Sequence, residues 1–398
     1  MIQGILDVGG VDIQGKYVVA LACFIVNLTI GLQYAFSVFV IPFQETYGWL
    51  RAEIALGLTI SVSILNVSGL LLGYFIDLYG PRKMGLVGAL LVGLGFNLMY
   101  YQNTLLEYYL SYGLLVGLGS GILYISSISA ITRSGFEKTG SALGFVIAGF
   151  GLSAGFFGPI LSYVISNYGL KQAFLTLSIV GFTLTLATLL FPIGNRIAHK
   201  GYLESLRTVI YDHYIRALWI IMALASSIGF AVSSFLKPYA KEFFADEILA
   251  TLPIVSFALG NSLGRFLSGV LSDIFESRKV LAYTIVYHTI NSVVLTTLPH
   301  INPYIIFAST FIAGLGHGSM FTLFPKLTTE AYGSERIGQI YGAVLSSTVL
   351  GSFLGPYMSN AIYDMLGTYA PAMLSLALIQ VFSLTLTIRL KIATHASS

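Results

Sequence analysis

Three ionisable side chains lie inside long apolar stretches of this sequence: Arg265, His288 and His317. Burying such a group in a run of membrane-spanning length costs several kcal/mol, which makes each a candidate functional residue by default. All 17 acidic residues fall at the ends of the apolar runs or between them, so no run interior carries a carboxylate. Arg265 has Asn261 and Ser268, rather than acids, at helical distance. Its guanidinium is a planar fork of donors, the shape that holds a carboxylate through two parallel hydrogen bonds. Two blander roles stay open: snorkelling to the membrane surface, or pairing with Asp273. His317 stands between Gly316 and Gly318. A neutral imidazole there can donate to a ligand, carry a proton near pH 6.5, or simply bond a backbone carbonyl. His288 has no supporting pattern and reads as structural. With two of its six histidines scattered inside the apolar runs and a single cysteine, Cys23, the chain has no clustered nucleophile, base or metal ligands within those runs. Neither an enzyme, a resident metal nor a cofactor is expected.

The elements that carry these residues follow from composition. The chain is 56% hydrophobic and 9% charged, against roughly a quarter charged in soluble domains. A spanning helix needs about 20 mostly apolar residues. Twelve such runs can be read: residues 17–41, 54–76, 84–101, 108–132, 140–166, 172–191, 217–236, 248–272, 280–298, 303–325, 337–363 and 368–388. The expected fold is an all-α membrane protein of twelve transmembrane helices. A polar stretch at 193–213 divides it into a six-helix half at 1–192 and another at 214–398. With the N-terminus inside, 15 of the 20 Lys and Arg residues fall in cytoplasmic segments and four outside, which places both termini in the cytoplasm by the positive-inside rule. The start of the chain lacks a basic region and a small-residue cleavage site, so no signal peptide is expected. A net charge of +3 with dispersed basic residues is too small to suggest nucleic acid, so none is expected as a partner.

The two halves repeat. At an offset of 196 residues Gly73, Asp77, Arg82 and Lys83 match Gly269, Asp273, Arg278 and Lys279. At 197, Gly117-Leu118-Gly119-Ser120-Gly121 matches Gly314-Leu315-Gly316-His317-Gly318, and Gly158-Pro159 matches Gly355-Pro356. Six spans separate the copies, an even number, so the halves are parallel pseudo-repeats about an axis along the membrane normal. That architecture implies a carrier with its binding site between the halves, near the midplane.

The stretch from Gly73 through Asp77 and Gly80-Pro81-Arg82 to Lys83, with its copy at 269–279, resembles the cytoplasmic loop motif of the major facilitator superfamily. The Gly-Pro-Arg form is similar to the oxalate/formate antiporter and monocarboxylate transporter branch. So are Gly149-Phe150-Gly151-Leu152, Phe324-Pro325-Lys326 and Ile340-Tyr341-Gly342. Physically, an Asp closing one helix and cations opening the next can pair between loops and hold the cytoplasmic side shut, or the cations can merely set topology. Gly73, Asp77, Arg82, Lys83, Asp273 and Arg278 are therefore candidates for a cytoplasmic gate.

The resemblance implies that Arg265 is the ligand of a substrate carboxylate. In monocarboxylate carriers an Asp four residues earlier assists proton coupling; here that position is Asn261. Oxalate carriers have a second cation, a lysine, where this chain has Thr348, which favours a substrate with one carboxylate. Gln33, Tyr34 and Tyr124 match polar and aromatic positions of that branch's site, and His317 and Phe321 fall where it has aromatic residues. The resulting expectation is a monomeric, multi-pass carrier in the cell membrane. It would move a small monocarboxylate of the lactate, pyruvate or formate type by alternating access, with a proton or counter-anion as partner. The rival expectations are a carrier or exporter for another metabolite or drug, and a non-transporting membrane sensor, for which the chain offers no long loop or appended domain.

Overall fold

The computed structural model describes residues 13–32, 36–193 and 202–390, and every regular element among them is a helix. Gln33 and Tyr34, the start of the chain at 1–12 and residues 194–201 of the polar stretch lie outside the described residues. The first apolar run is not one uninterrupted helix: α1 (Ile13–Ile30) stops just before Gly31, and α2 (Ser37–Tyr47) begins afresh and ends on the left-handed Gly48. α3 (Arg51–Tyr79) ends at Gly80, whose φ of 86° reverses the chain, and Pro81 then opens α4 (Pro81–Tyr101) at the position where its missing N–H costs nothing. Thr104 and Glu107 form a capping box on α5 (Leu105–Tyr108). A π-helical segment, Tyr109–Val116, joins α5 to α6 (Gly117–Arg133), and the three together make one span.

α7 (Thr139–Tyr168) and α8 (Leu170–Thr188) complete the first six spans, and α9 (Tyr202–Tyr211) lies in the polar stretch. Asp212 and Asp246 each accept two backbone N–H groups, starting α10 (His213–Lys241) and α11 (Glu247–Ile274). α12 (Ser277–Thr297), α13 (Ile305–Tyr332), α14 (Ile337–Ser346), α15 (Thr348–Leu366) and α16 (Ala370–Arg389) follow. Among the described residues, eleven helical stretches are long and apolar enough to cross a membrane, and the Gly15–Ile30 part of the first run is a shorter apolar helix.

The chain forms two compact units. One comprises Met1–Glu137, Gly149–Val209 and Tyr332–Ala343; the other comprises Lys138–Ala148, Ile210–Ala331 and Val344–Ser398. Thus α7 gives its first turns to the second unit, and α14 gives its first turns to the first.

Lipid offers no hydrophobic drive between helices, so close backbone approach and interhelical hydrogen bonds must hold each unit together. The repeated glycines supply the approach. In the first unit a Cβ on Gly117 would meet the backbone of Ser61, and one on Gly121 would meet Ser68 and the Leu65 carbonyl, which seats α6 on α3. In the second unit Gly260 and Gly264 of α11 sit against the carbonyls of Phe311 and Leu315, while Gly314 and Gly318 of α13 sit against those of Phe257 and Asn261. Bonds such as Ser178 Oγ to the Gly93 carbonyl at 3.0 Å and Gln380 Nε2 to the Ala225 carbonyl at 2.7 Å tie further helices, each worth about 0.6 kcal/mol.

Candidate functional site

The glycine-lined contact of α11 with α13 puts a cation and an aromatic wall side by side. Arg265 is 1% exposed and stands nine residues from the end of α11, about 13 Å into that helix at 1.5 Å per residue. Its Nε donates to Asn261 Oδ1 at 3.0 Å, and Nη1 donates to the Ile147 carbonyl at 3.4 Å. The guanidinium carbon lies 4.8 Å from the centroid of the Phe321 ring. These contacts orient the group and stack it on an aromatic face. Phe257, Asn261 and Arg265 recur every four residues and so share one face of α11. That spacing is visible in the sequence and would have added Phe257 to the site.

His317 is 2% exposed and completes the wall. Its ring is edge-on to Phe230 at 4.8 Å and to Phe321 at 5.2 Å, and lies 5.8 Å from Phe257. Nδ1 is buried without a hydrogen-bond partner and faces Gly229, where a Cβ would collide with it. Phe230 joins the wall from α10 with no prior signal in the sequence. His288 is fully buried behind Gly316, whose Cβ would stand 2.6 Å from the imidazole, so it fills the space a side chain at 316 would take.

In the first unit Tyr124 is buried in α6, its hydroxyl 3.4 Å from that of Tyr341 and its ring edge-on to Phe150 at 5.9 Å. Close by in sequence, Ser127 accepts a 2.8 Å hydrogen bond from Asn27 Nδ2, whose Oδ1 is buried without a partner. Thr348, at the start of α15, turns its hydroxyl onto the Leu345 carbonyl at 2.7 Å.

The gate candidates form two matched constellations. Asp77, at the end of α3, accepts from the backbone N–H groups of Gly338 and Gln339 at 3.0 and 2.8 Å, and from Arg133 Nη2 at 2.9 Å. Asp273, at the end of α11, accepts from the N–H groups of Gly140 and Ser141 at 2.8 and 2.6 Å, from the Ser141 hydroxyl at 2.7 Å and from Lys326 Nζ at 3.0 Å. Each carboxylate thus caps the first turn of a helix, α14 or α7, where exposed N–H groups and the helix dipole favour a negative charge. One turn earlier Gly73 lies against Gly338, and Gly269 against Gly140, so close that a Cβ would strike the opposing carbonyl.

The ion-pair partners are Arg133 and Lys326 rather than the cations of the loop motif. Arg82 instead donates from Nε to the Phe191 carbonyl at 2.6 Å, and Arg278 from Nη1 to the Leu390 carbonyl at 2.7 Å, each just beyond the last spanning helix of its half. Arg278 also pairs with Glu276 at 2.8 Å, and Lys83 is exposed.

Residues 21–356 and 218–395 match the model of the Major Facilitator Superfamily. The oxalate:formate antiporter of Oxalobacter formigenes is 26% identical over 357 residues, covering 87% of this chain and 84% of that one. Monocarboxylate transporter 2 of Homo sapiens is 23% identical over 378 residues, covering 86% and 79%. An MFS-type transporter of Escherichia coli (strain K12), YhjX, is 26% identical over 311 residues, covering 75% and 74%. Among solved structures, the fucose:proton symporter FucP of E. coli superposes with a TM-score of 0.76 at 16% identity, over 94% of this chain and 98% of that one. The proton:xylose symporter XylE does so with a TM-score of 0.77 at 12% identity, over 94% and 96%.

Proposed function

This chain belongs to the Major Facilitator Superfamily, and on that premise we propose that it is a secondary carrier of a small monocarboxylate whose carboxylate binds Arg265. The observation that carries this reading is the buried guanidinium, oriented by Asn261 and stacked on Phe321 inside a spanning helix whose interior has no acid of its own. A carboxylate arriving there meets a preoriented fork of donors in a water-poor setting, where a charge-assisted pair is strong. The phenylalanine walls suit a compact anion, and Thr348 offers no second cation for a dicarboxylate.

The two halves, 1–192 and 214–398, are the bodies that rock about the site, and both termini are cytoplasmic. Asp77 and Asp273 act as latches: each holds the first turn of a helix from the other half while the cytoplasmic side is closed, and releases it when that side opens. Asn261, in place of an acid, leaves the chain without the carboxylate that would take up a proton beside Arg265.

The test is uptake of labelled lactate, pyruvate, formate and oxalate into proteoliposomes, with and without internal anion and with and without a pH gradient. Monocarboxylates are expected to enter at least tenfold faster than oxalate, since leaving a buried polar group unsatisfied costs about 1–3 kcal/mol and a charged one more. Acceleration by internal anion identifies exchange, and acceleration by an inward proton gradient identifies symport. Failure to move any of the four anions overturns the substrate class.

A smaller effect is expected at the aromatic wall. Gly229→Ala places a methyl against His317 Nδ1 and drives the ring out of its seat. Overpacking of this kind costs about 1–3 kcal/mol, so KM for the transported anion should rise about tenfold at an unchanged expression level. An unchanged KM would show that the imidazole does not shape the site.

A further inference from the structure

We propose that the trough between the end of α4 and the π-helical segment Tyr109–Val116 is a binding site for one phospholipid with a zwitterionic, ammonium-bearing headgroup. The trough has a volume of about 350 Å³ and is lined by Leu98, Tyr101 and Gln102 on one side and by Glu107, Leu110 and Leu114 on the other. Three observations point to an amphiphile.

The first is the polar end. Gln102 is 1% exposed, and the oxygen of its side-chain amide, Oε1, has no hydrogen-bond partner. The buried Tyr47 hydroxyl beside it takes up a side-chain N–H of Gln102. A buried amide left in this state is costly, and a headgroup that both donates and accepts would satisfy it. The second is the apolar length: Leu98, Leu110 and Leu114 are exposed on the outer faces of their helices, where hydrocarbon is the solvent. The third is the backbone. π-helical turns are rare and recur at functional sites. Here eight consecutive residues adopt the form along one wall of the cavity, and Ser111 within it donates to the Glu107 carbonyl of α5 at 2.6 Å.

Charge selects the headgroup. Glu107 is the one charged residue of the lining, and its Oε2 accepts from the N–H groups of Asn103 and Thr104 at 2.7 and 3.0 Å, which fixes the carboxylate at the mouth. A carboxylate in that position attracts an ammonium and repels the headgroup of phosphatidylglycerol or a free fatty acid. On the orientation proposed above, the trough opens to the outer leaflet, and a phosphatidylethanolamine places its ammonium at Glu107, its polar linkage at Gln102 and one acyl chain along the leucines.

Native mass spectrometry of the full chain, released from nonionic detergent with equal amounts of phosphatidylethanolamine and phosphatidylglycerol, tests this. The wild type is expected to keep one phosphatidylethanolamine at least fivefold over phosphatidylglycerol. Leu114→Trp fills the trough from the lipid side, and Gln102→Leu removes its polar anchor; each should lower retention at least fivefold at an unchanged melting temperature. Glu107→Gln keeps the helix cap while erasing the preference between the two lipids. A wild type that retains neither lipid, equal retention of both, or retention unchanged in Leu114→Trp and Gln102→Leu would each overturn the assignment. The first of these results would leave the space to water.

Discussion

Replacing Arg265 by alanine is expected to reduce carboxylate uptake by at least about 100-fold while leaving the protein folded. Removing one partner of a buried, hydrogen-bonded charge pair typically costs 3–5 kcal/mol, which is roughly a 100- to 5,000-fold loss of affinity at 1.4 kcal/mol per tenfold. Folding should be spared for the same physical reason. Burying the guanidinium carries a desolvation cost that an alanine at 265 does not. The melting temperature of Arg265→Ala should therefore equal or exceed that of the wild type. Arg265→Lys is the sharper comparison. It keeps the charge but replaces the planar fork by a point charge that cannot make the paired bonds or stack on Phe321 in the same way. Uptake in the lysine variant should fall between the two, about tenfold below wild type. Wild-type uptake in the alanine variant would assign Arg265 a structural role and remove the carboxylate reading with it.

The sequence shows what depends on local spacing and hides what depends on contacts across the fold. The offset of 196 or 197 residues between glycine patterns is a local regularity, and each pattern lies where two helix backbones touch, at Gly117 and Gly121 and again at Gly314 and Gly318. Arg265 and Asn261 are one turn apart, so their meeting could be read directly. By contrast, the N–H groups that Asp77 accepts are 261 and 262 residues away, and no periodicity points to them. The loop motif leaves open whether its cations pair with an Asp between loops or set topology; Arg82 reaches the Phe191 carbonyl, 109 residues on. Hydropathy likewise cannot see that the first apolar run stops at Ile30 and restarts at Ser37, or that residues 109–116 wind as a π-helix, because neither change alters composition.

The paired latches give the second large effect. In Asp77→Ala the N–H groups of Gly338 and Gln339 and the Arg133 guanidinium lose their shared acceptor. Hydrogen bonds to a charged group contribute about 1.5–3 kcal/mol each, and because they converge on one carboxylate they are lost together rather than additively. A net loss of about 3–4 kcal/mol for the arrangement seen here raises the population of the released state about 100- to 1,000-fold. Gln339 is 1% exposed in this state, so a cysteine placed there, in a Cys23→Ser background, should react with a membrane-permeant maleimide faster by about that factor. Transport should fall at least about tenfold, because a carrier held in one state cannot complete its cycle. Asp273→Ala, through Gly140, Ser141 and Lys326, should act in the same direction, and the double variant should abolish uptake. Exchanging the charges, Asp77→Arg with Arg133→Asp, separates the two contributions. If the ion pair dominates, the exchange restores transport. If the helix cap dominates, as the two backbone bonds on Asp77 imply, transport stays lost, because an arginine at 77 presents donors to the donors of α14.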